Sequence, residues 1–268
     1  MPPATGPTAA FFDLDKTIIA KSSTLAFSRE FQAGGLISRT AVLRSAYAQF
    51  VFLTGGADHD QMEKLRQFMS QLCAGWPVET VKEIVADTLH HVVDPLVYDE
   101  AVSLIEDHHA AGRDVVIVSA SGTEVVEPIG ELLGADHVVA TSLEVVDGRY
   151  TGEITFYAYG DNKAIAMRRL AEEHGYDLQR CYAYSDSVTD APMLALVGHP
   201  YAVNPDRELR RLATERGWPI LVFEVPVGLR SRVRLPPPRQ TAAVLTVGGL
   251  SALAAAMWLR VRRRRHAA

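Results

Sequence analysis

Two aspartates and a threonine follow the first apolar run of the chain, and their spacing suits phosphoryl chemistry. Asp13, Asp15 and Thr17 alternate with other residues directly after a short run of Ala and Phe. A carboxylate can attack phosphorus as a nucleophile and so divide one slow hydrolysis into two easier steps. A carboxyl group two residues away can protonate the leaving oxygen and later take a proton from water. The pair therefore predicts a catalytic site centred on Asp13 and Asp15.

Three further groups along the chain supply the other parts that this chemistry needs. Clustered carboxylates repel one another unless a cation lies among them, and hard oxygen ligands suit Mg²⁺. A lysine, hydroxyl groups and backbone N–H groups can hold a phosphoryl group and its developing charge. Two of these groups follow further apolar runs and the third starts a helix-like segment. They are Ser119 with Ser121, Lys163, and Asp186 with Asp190.

The elements that carry these residues alternate between strands and helices. Apolar strand-like runs occur at 9–15, 114–118 and 181–184, helix-like segments such as 163–174 lie between them, and Asp147-Gly148 predicts a two-residue hairpin. The alternation favours an α/β fold with a doubly wound, mostly parallel, Rossmann-like sheet. Ligands bind beyond the carboxyl ends of the strands in such sheets, and the candidate side chains stand at those ends.

A helical stretch interrupts this alternation directly after the first strand. Residues 22–99 carry apolar positions at three- and four-residue spacing and no convincing strand. We therefore expect an inserted all-helical cap at 22–99 and a catalytic core made of 9–21 together with 100–229. A cap of this kind would exclude water from the site and select substrates.

The four groups resemble, in order and in context, the four motifs of the haloacid dehalogenase superfamily of phosphohydrolases. The resemblance covers residues 9 to about 222, and the helical insertion is similar to the cap of the phosphoserine-phosphatase-like branch. It implies an Mg²⁺-dependent phosphatase that forms an aspartyl-phosphate. Asp13 would be the nucleophile and Asp15 the general acid and base, which also offers Mg²⁺ its backbone carbonyl. Thr17 would support Asp15.

The same resemblance assigns the remaining residues. Ser119 and Lys163 would bind the phosphoryl group, and Asp186 would bind Mg²⁺ with Asp190 beside it, directly or through water. The expected phosphate-binding residues are Thr17, Ser119, Ser121 and Lys163, and the expected metal-binding residues are Asp13, Asp15, Asp186 and Asp190.

The substrate stays open between two classes of phosphate monoester. Phosphoserine phosphatases typically carry a Gly-Gly step after the second-motif serine and a GDGxND fourth motif. Residues 119–122 read Ser-Ala-Ser-Gly and 185–190 read Ser-Asp-Ser-Val-Thr-Asp. These departures preserve the core chemistry but add nothing in favour of phosphoserine. A lipid phosphate, as in a phosphatidylglycerophosphatase, is the second candidate. Two functions of different classes also stay open, a phosphotransferase and a non-catalytic, membrane-tethered binding protein.

Each candidate residue also has a simpler structural interpretation. Asp13 and Asp15 could end a strand, Ser119 and Ser121 could cap a helix, and Asp190 could cap the following helix. Lys163 alone could be a solvated helix residue. Other polar and aromatic residues fit ordinary structural roles. The histidine pairs at 90–91 and 108–109 are expected to be helix residues, and the aromatic residues Phe27, Phe31, Phe50 and Phe52 are expected to form the core of the cap. Three arginines are expected to be solvated cap residues and are only weak candidates for substrate contact: Arg29, Arg39 and Arg44.

Charge and cysteine content exclude several classes of function. Nine arginines and no acid lie in 230–268, which leaves 18 Lys and Arg against 32 Asp and Glu in 1–229. An acidic body repels phosphate backbones, so we expect no nucleic-acid partner. The two cysteines, Cys73 and Cys181, form no paired motif, which argues against a structural zinc site and favours a reducing compartment.

The C-terminal region predicts a membrane anchor. Residues 241–259 contain no charge and would reach about 28 Å as a helix, close to the thickness of a hydrocarbon core. A basic, Pro-rich linker at 230–240 precedes them, and 260–268 supply five arginines for anionic headgroups. Residues 1–8 show no secretory signal, so we expect a single-pass anchor with the catalytic domain in the cytoplasm. A buried core helix is the alternative.

Overall fold

A seven-stranded sheet organises the part of the chain that the structure describes. The structure is a computed structural model, and it describes residues 6–37 and 71–224. The order across the sheet is β4-β3-β2-β1-β5-β6-β7, so the first strand in sequence lies at the centre. The strands are β1 (Ala9–Phe12), β2 (Asp114–Gly122), β3 (His137–Val146), β4 (Arg149–Phe156), β5 (Tyr182–Ser185), β6 (His199–Val203) and β7 (Ile220–Leu221).

Parallel pairing brings the chemical motifs to one edge of the sheet. In the central strand, Phe11 aligns with Val116 of β2 and with Ala183 of β5. Every pair of neighbouring strands is parallel except β3 with β4. The carboxyl ends of β1, β2 and β5 therefore lie side by side, and the predicted mostly parallel α/β sheet is confirmed.

Helices cover both faces of the sheet. Successive residues of a strand point to opposite faces, so a strand that is apolar throughout presents apolar side chains to both layers of helices. Phe11 and Phe12 are both buried, yet they belong to two different apolar clusters. Full burial of a phenylalanine side chain stabilises the folded state by about 1.5–3 kcal/mol. Each of the two clusters packs helices against its own face of the sheet. The helices are α1 (Ser23–Ala26), α2 (Ser28–Ala33), α3 (Val78–Val93), α4 (Asp99–Ala110), α5 (Thr123–Leu133), α6 (Asp161–His174), α7 (Ala191–Leu194) and α8 (Arg207–Arg216).

The sides of the sheet differ in which helices they carry. Met167 of α6, Met193 of α7 and Leu209 of α8 pack with Phe11 on one face. Ile105 of α4 and Ile129 of α5 pack on the other face, in the cluster that contains Phe12. This arrangement is the doubly wound layering that the sequence predicts.

The predicted hairpin joins β3 to β4. Val146 pairs with Arg149 in antiparallel register, and Asp147 and Gly148 between them have φ values of 50° and 73°. Positive φ at both central residues is the requirement of the type I′ turn, which Asp-Gly favours. The sequence predicts two short strands before this turn, but β3 runs continuously from His137 to Val146.

The described part of the predicted cap consists of helices that pack close to the core. Residues 38–70 lie outside the described residues, so the separate all-helical cap at 22–99 stays a prediction. Val81 and Val85 of α3 share one apolar cluster with Val126 of α5. The stretch before α3 is hydrogen-bonded to the hairpin, with the Gly75 N–H donating to the Tyr150 carbonyl at 2.8 Å.

The predicted C-terminal anchor cannot be compared with the structure, because 225–268 lie outside the described residues. Across 6–37 and 71–224, no helix is both long and apolar enough to cross a membrane.

Candidate active site

Asp13 stands at the carboxyl end of the central strand and is buried. Its N–H donates to the Tyr184 carbonyl at 2.9 Å, which continues the pairing of β1 with β5 by one residue. A tight turn follows, in which Lys16 has a φ of 62° and the Ile18 N–H donates to the Leu14 carbonyl at 2.9 Å. The strand end and the turn together fix the direction of the Asp13 carboxylate.

The Thr17 hydroxyl contacts Asp13 and not Asp15. It donates to Asp13 Oδ2 at 3.3 Å. The resemblance led us to expect that Thr17 supports Asp15, and this expectation is corrected by the observed contact. The physical reason is the tight turn, which returns Thr17 beneath the carboxylate four residues before it.

Lys163 bridges two of the predicted aspartates. It lies in the first turn of α6, and its Nζ donates to Asp13 Oδ1 at 2.7 Å and to Asp190 Oδ2 at 2.8 Å. The lysine is only 2% exposed, so water screens these contacts little. Three residues from β1, α6 and the loop after β5 thus form one charged cluster, as the sequence predicts.

Asp190 is also held, through the same carboxylate oxygen, by a residue that sequence reasoning missed. The Ser185 hydroxyl donates to Asp190 Oδ2 at 2.7 Å and accepts the N–H of Ser187 at 3.2 Å. Ser185 is fully buried at the end of β5. The simpler interpretation of Asp190 as a cap of the next helix is not observed, because its side chain makes no capping hydrogen bond there.

Asp15 takes its hydrogen bonds from groups outside this cluster and is bound on both carboxylate oxygens. The Ser23 N–H donates to Oδ1 at 2.8 Å, and the Ser121 hydroxyl donates to Oδ2 at 3.2 Å. Ser23 was not among the predicted residues. Ser119, which is 1% exposed, accepts the Ser121 N–H through its hydroxyl at 3.2 Å.

Asp186 is buried at the start of the loop after β5, and a third missed residue fixes that loop. The Asp206 N–H donates to the Asp186 carbonyl at 2.8 Å. The Asp206 carboxylate in turn accepts the N–H groups of Val188 at 2.9 Å and Leu209 at 2.7 Å. In the sequence, Asp206 is marked only by the Asn-Pro-Asp stretch at 204–206, which indicates a turn and does not predict hydrogen bonds to the loop after β5.

The charges at the site are unbalanced. Burial raises the pKa of Asp13 well above its ordinary value, although Lys163 opposes the rise. Burial also raises the pKa of Asp15. It raises the pKa of Asp186 to about 7, with Lys16 acting in the opposite direction. Burial lowers the pKa of Lys163, but Asp13 and Asp190 outweigh it and hold this pKa above its ordinary value, so the lysine stays cationic.

This imbalance fits a divalent cation. Four aspartates converge on the edge of the sheet, and within the described residues the cations that act on them are Lys163 and Lys16. If all four were ionised, two negative charges would lack a partner in a buried place, and a hard divalent ion would relieve that situation. Over 6–37 and 71–224, no three His, Cys, Asp or Glu side chains group closely enough to hold an ion by themselves. A site there would need a backbone oxygen or water in addition.

The histidine pairs take up ordinary structural roles. His108 Nε2 lies 2.9 Å from the Tyr184 hydroxyl inside the core, while His109 Nε2 lies 3.1 Å from Asp136 Oδ2 at the surface. His90 Nδ1 lies 3.2 Å from Asp94 Oδ1. Neighbouring histidines thus have separate partners.

The predicted cap residues are only partly described. Phe27 and Phe31 are buried, with ring centroids 6.1 Å apart, and they belong to the same apolar cluster as Phe12 of the central strand. Arg29 is exposed. Arg39, Arg44, Phe50 and Phe52 lie outside the described residues.

Curated relatives align along nearly the whole chain. A protein of Streptomyces azureus, named as an inhibition of morphological differentiation protein, is 64% identical and covers 97% of this chain and 96% of its own. A probable phosphatase of Mycobacterium tuberculosis is 59% identical, with 92% and 86% covered. A protein of the same species named as a phosphoserine phosphatase is 35% identical, with 94% and 82% covered.

Solved structures share the fold. A Bordetella pertussis protein of unknown function superimposes with a TM-score of 0.67 at 30% identity, covering 81% of this chain and 99% of its own. A phosphoserine phosphatase holding an analogue of the phospho-aspartyl intermediate gives a TM-score of 0.60 at 21% identity, with 85% and 97% covered. The sequence also matches the haloacid dehalogenase-like hydrolases over residues 10–195. This match spans more than half of the chain and contains the catalytic, phosphate-binding and metal-binding candidates named above, and on it the chain belongs to the haloacid dehalogenase-like hydrolase family.

Proposed function

We propose that the protein is an Mg²⁺-dependent phosphatase that hydrolyses a phosphate monoester through an aspartyl-phosphate on Asp13. One observation carries this proposal. The buried carboxylate of Asp13 lies 2.7 Å from the Lys163 ammonium, while the carboxylate of Asp15 has an independent set of donors. The carboxylate of Asp13 is thus hydrogen-bonded to the cation proposed to bind phosphate, whereas the carboxylate of Asp15 takes its hydrogen bonds from other groups.

In the first step, an oxygen of Asp13 attacks phosphorus and the bond from phosphorus to the ester oxygen breaks. Asp15 gives its proton to the leaving oxygen, so that an alcohol departs. Lys163, which donates to Asp13, and the hydroxyl of Ser119, which lies near the carboxyl end of the neighbouring strand β2, would hold phosphoryl oxygens as negative charge develops.

In the second step, water attacks the phosphorus of the aspartyl-phosphate. Asp15, now ionised, accepts a proton from that water, and the bond from phosphorus to Asp13 breaks. Inorganic phosphate and the free carboxylate of Asp13 result, with Asp15 again protonated. The two carboxyl groups therefore return to their starting states after each turnover.

The metal would be held by Asp13, Asp186 and the backbone carbonyl of Asp15, with Asp190 beside them. Asp190 Oδ2 is already bound by Lys163 and Ser185, which leaves Oδ1 for a direct contact or one through water. Bound there, Mg²⁺ would polarise the phosphoryl group and offset its charge.

Two substrate classes follow from different observations. A small phosphorylated metabolite resembling phosphoserine is the first candidate, because a relative of 35% identity carries that name. A lipid phosphate is the second, because an anchor would bring the site to the membrane surface. Comparing kcat/KM for phosphoserine and for a short-chain lipid phosphate in detergent micelles separates the two.

The test of the activity is hydrolysis of an aryl phosphate by the protein with Mg²⁺ or with EDTA, beside the Asp13→Asn variant. Turnover that needs both Mg²⁺ and Asp13 supports the proposal. Turnover that persists in Asp13→Asn contradicts it. No turnover of aryl, metabolite or lipid phosphates would favour a non-catalytic binding protein. An added acceptor alcohol that becomes phosphorylated would indicate a phosphotransferase.

We also propose that 241–259 anchor the protein in a membrane, with the catalytic domain in the cytoplasm. The support is the sequence alone: 19 uncharged residues between two arginine-rich segments. Removing 236–268 should move the protein from the membrane fraction to the soluble fraction. Unchanged partitioning of the shortened chain would refute the anchor.

A further inference from the structure

The two carboxylates of the first motif are held by different donors. Asp13 is bound by Lys163 and Thr17. Asp15 receives the Ser23 N–H on Oδ1 at 2.8 Å and the Ser121 hydroxyl on Oδ2 at 3.2 Å. The orientation of Asp15 therefore depends on residues outside its own motif.

The hydroxyl groups around Ser121 have only one consistent direction while Asp15 is ionised. Ser121 Oγ lies 2.7 Å from Ser23 Oγ and 3.1 Å from Thr24 Oγ1. A hydroxyl donates one hydrogen bond and accepts two. Since Ser121 gives its proton to Asp15, Ser23 and Thr24 must both donate to Ser121. Its hydrogen-bonding capacity is then fully used inside the protein.

These groups are enclosed, which limits their exchange with water. Ser23 has no exposed surface and Ser121 is 7% exposed. A chain of buried hydroxyls that ends on a carboxylate gains strength from its charged acceptor. It also joins the end of β2 to the first turn of α1, two elements separated by 98 residues in sequence.

We propose that Ser23, Thr24 and Ser121 form a hydroxyl relay that positions the Asp15 carboxyl group for proton transfer, so that Ser121 is a positioning residue and not a phosphate ligand. The inference rests on the proposed function, because it concerns how the acid of that reaction is held. It changes the role of Ser121, which the sequence placed with the phosphate-binding residues.

The two contacts also fix the orientation of the Asp15 carboxyl group. The Ser23 N–H holds Oδ1 and the Ser121 hydroxyl holds Oδ2, so rotation of the carboxyl plane would break at least one of them. Each carboxyl oxygen can accept more than one hydrogen bond, so these contacts leave room for a further one to a leaving oxygen.

The experiment compares two esters of similar shape that differ in their leaving groups. Phenyl phosphate needs protonation of its leaving oxygen, whereas 4-nitrophenyl phosphate scarcely does. The readout is kcat/KM for phenyl phosphate divided by kcat/KM for 4-nitrophenyl phosphate. Because kcat/KM covers only the steps up to formation of the phosphoenzyme, this ratio reports how strongly the protein assists protonation of the leaving oxygen. The variants are Asp15→Asn, Ser121→Ala, Ser23→Ala and the double variant Asp15→Asn/Ser121→Ala. Thr123→Val is the matched control, since its hydroxyl contacts the Thr141 carbonyl and Ser142 instead of Asp15.

We expect the ratio to fall about 100-fold in Asp15→Asn and about tenfold in Ser121→Ala, with a smaller fall in Ser23→Ala. The double variant should match Asp15→Asn, because Ser121 acts through Asp15. Thr123→Val should keep the ratio of the wild type.

An equal loss for both esters in Ser121→Ala would overturn the relay, because it would mean that Ser121 contacts the phosphoryl group. An unchanged ratio in both Ser121→Ala and Ser23→Ala would overturn it as well. Failure of the proposed function looks different: the wild type would show no turnover that depends on Asp13, and the relay would then lose its basis too.

Discussion

The Lys163 ammonium donates to Asp13 Oδ1 at 2.7 Å, and both side chains are almost fully buried. The same ammonium lies 2.8 Å from Asp190 Oδ2. Breaking a buried ion pair on one side leaves the other charge without compensation, which costs far more than losing a surface pair. Lys163 thus stabilises the site, and its proposed second role is to bind the phosphoryl group.

Replacing Lys163 by Met should therefore affect folding and activity together. We expect the free energy of unfolding in EDTA at neutral pH to fall by about 3 kcal/mol. We expect kcat to fall by about 100-fold or more, because a preorganised cation at the phosphoryl group is lost. Denaturant unfolding and aryl phosphate turnover measure the two effects.

The control for this variant is Lys82→Met. Lys82 pairs with Glu79 at 3.2 Å, and both side chains are exposed. Its loss should change the free energy of unfolding by less than about 0.5 kcal/mol. A Lys163→Met protein as stable and as active as the wild type would contradict the role given to Lys163.

Ser185→Ala should destabilise the protein although the residue contacts no substrate. The change removes a donor to Asp190 and leaves the N–H of Ser187 without its acceptor. An unsatisfied buried group costs about 1–3 kcal/mol in the free energy of unfolding. Thr214→Ala, whose hydroxyl bonds to the Arg210 carbonyl on an exposed helix, should stay within about 0.5 kcal/mol. Equal effects of the two changes would show that Ser185 does not support the site.

Mg²⁺ should raise the melting temperature, because four aspartates at the site are offset by two lysines. At a concentration 100-fold above its Kd, a ligand that binds only the folded state adds about 2.7 kcal/mol. Asp186→Asn should lose most of this gain, whereas Asp147→Asn at the exposed hairpin should keep it. Differential scanning calorimetry with a titration of MgCl₂ measures the shift, and an equal shift in both variants would exclude Asp186 as a ligand.

His108 should make stability depend on pH below neutrality. Burial, and to a smaller extent the Arg113 cation, lower the pKa of His108 from 6.5 to about 4. Between these values the unfolded chain binds the proton and the folded protein does not, so stability is lost as pH falls from 6.5 to about 4. The loss due to His108 should be on the order of 3 kcal/mol, because one pKa unit corresponds to about 1.4 kcal/mol.

The matched variant for this prediction is His108→Gln, which keeps a polar group but does not titrate. Urea unfolding at several pH values from about 4 to 7 gives the free energy of both proteins. The wild type should lose stability relative to the variant as pH falls. Parallel curves would mean that His108 is not held neutral.

The sequence predicted the residues of the site better than the contacts that hold them. The sequence predicts the proximity of Asp13, Lys163 and Asp190, because parallel strands end at one edge of a sheet. The role of Ser23 could not be predicted, because its contact with Asp15 depends on how α1 packs against the end of β2. Serines are too common before helices for one of them to stand out in a sequence.

In the fold too, features set by neighbouring residues could be predicted from the sequence, whereas features set by contacts between distant residues could not. The hairpin at Asp147-Gly148 follows from turn chemistry alone and is confirmed. The sequence pattern divides β3 into two strands, because polar Thr141 and Ser142 interrupt its apolar run. In the structure the Thr141 hydroxyl donates to the Ala120 carbonyl at 2.7 Å, so the polar residue bonds to the neighbouring strand instead of ending its own.

The central claim, a phosphoryl group carried by Asp13, can be tested by trapping it. Borohydride reduces an aspartyl-phosphate to homoserine, so the protein should be acid-quenched during turnover of an aryl phosphate, reduced and analysed by peptide mass spectrometry. We predict homoserine at position 13 when substrate is present and unmodified Asp13 when it is absent. Steady turnover with homoserine at no position, or at Asp15 or Asp186 instead, would contradict the account.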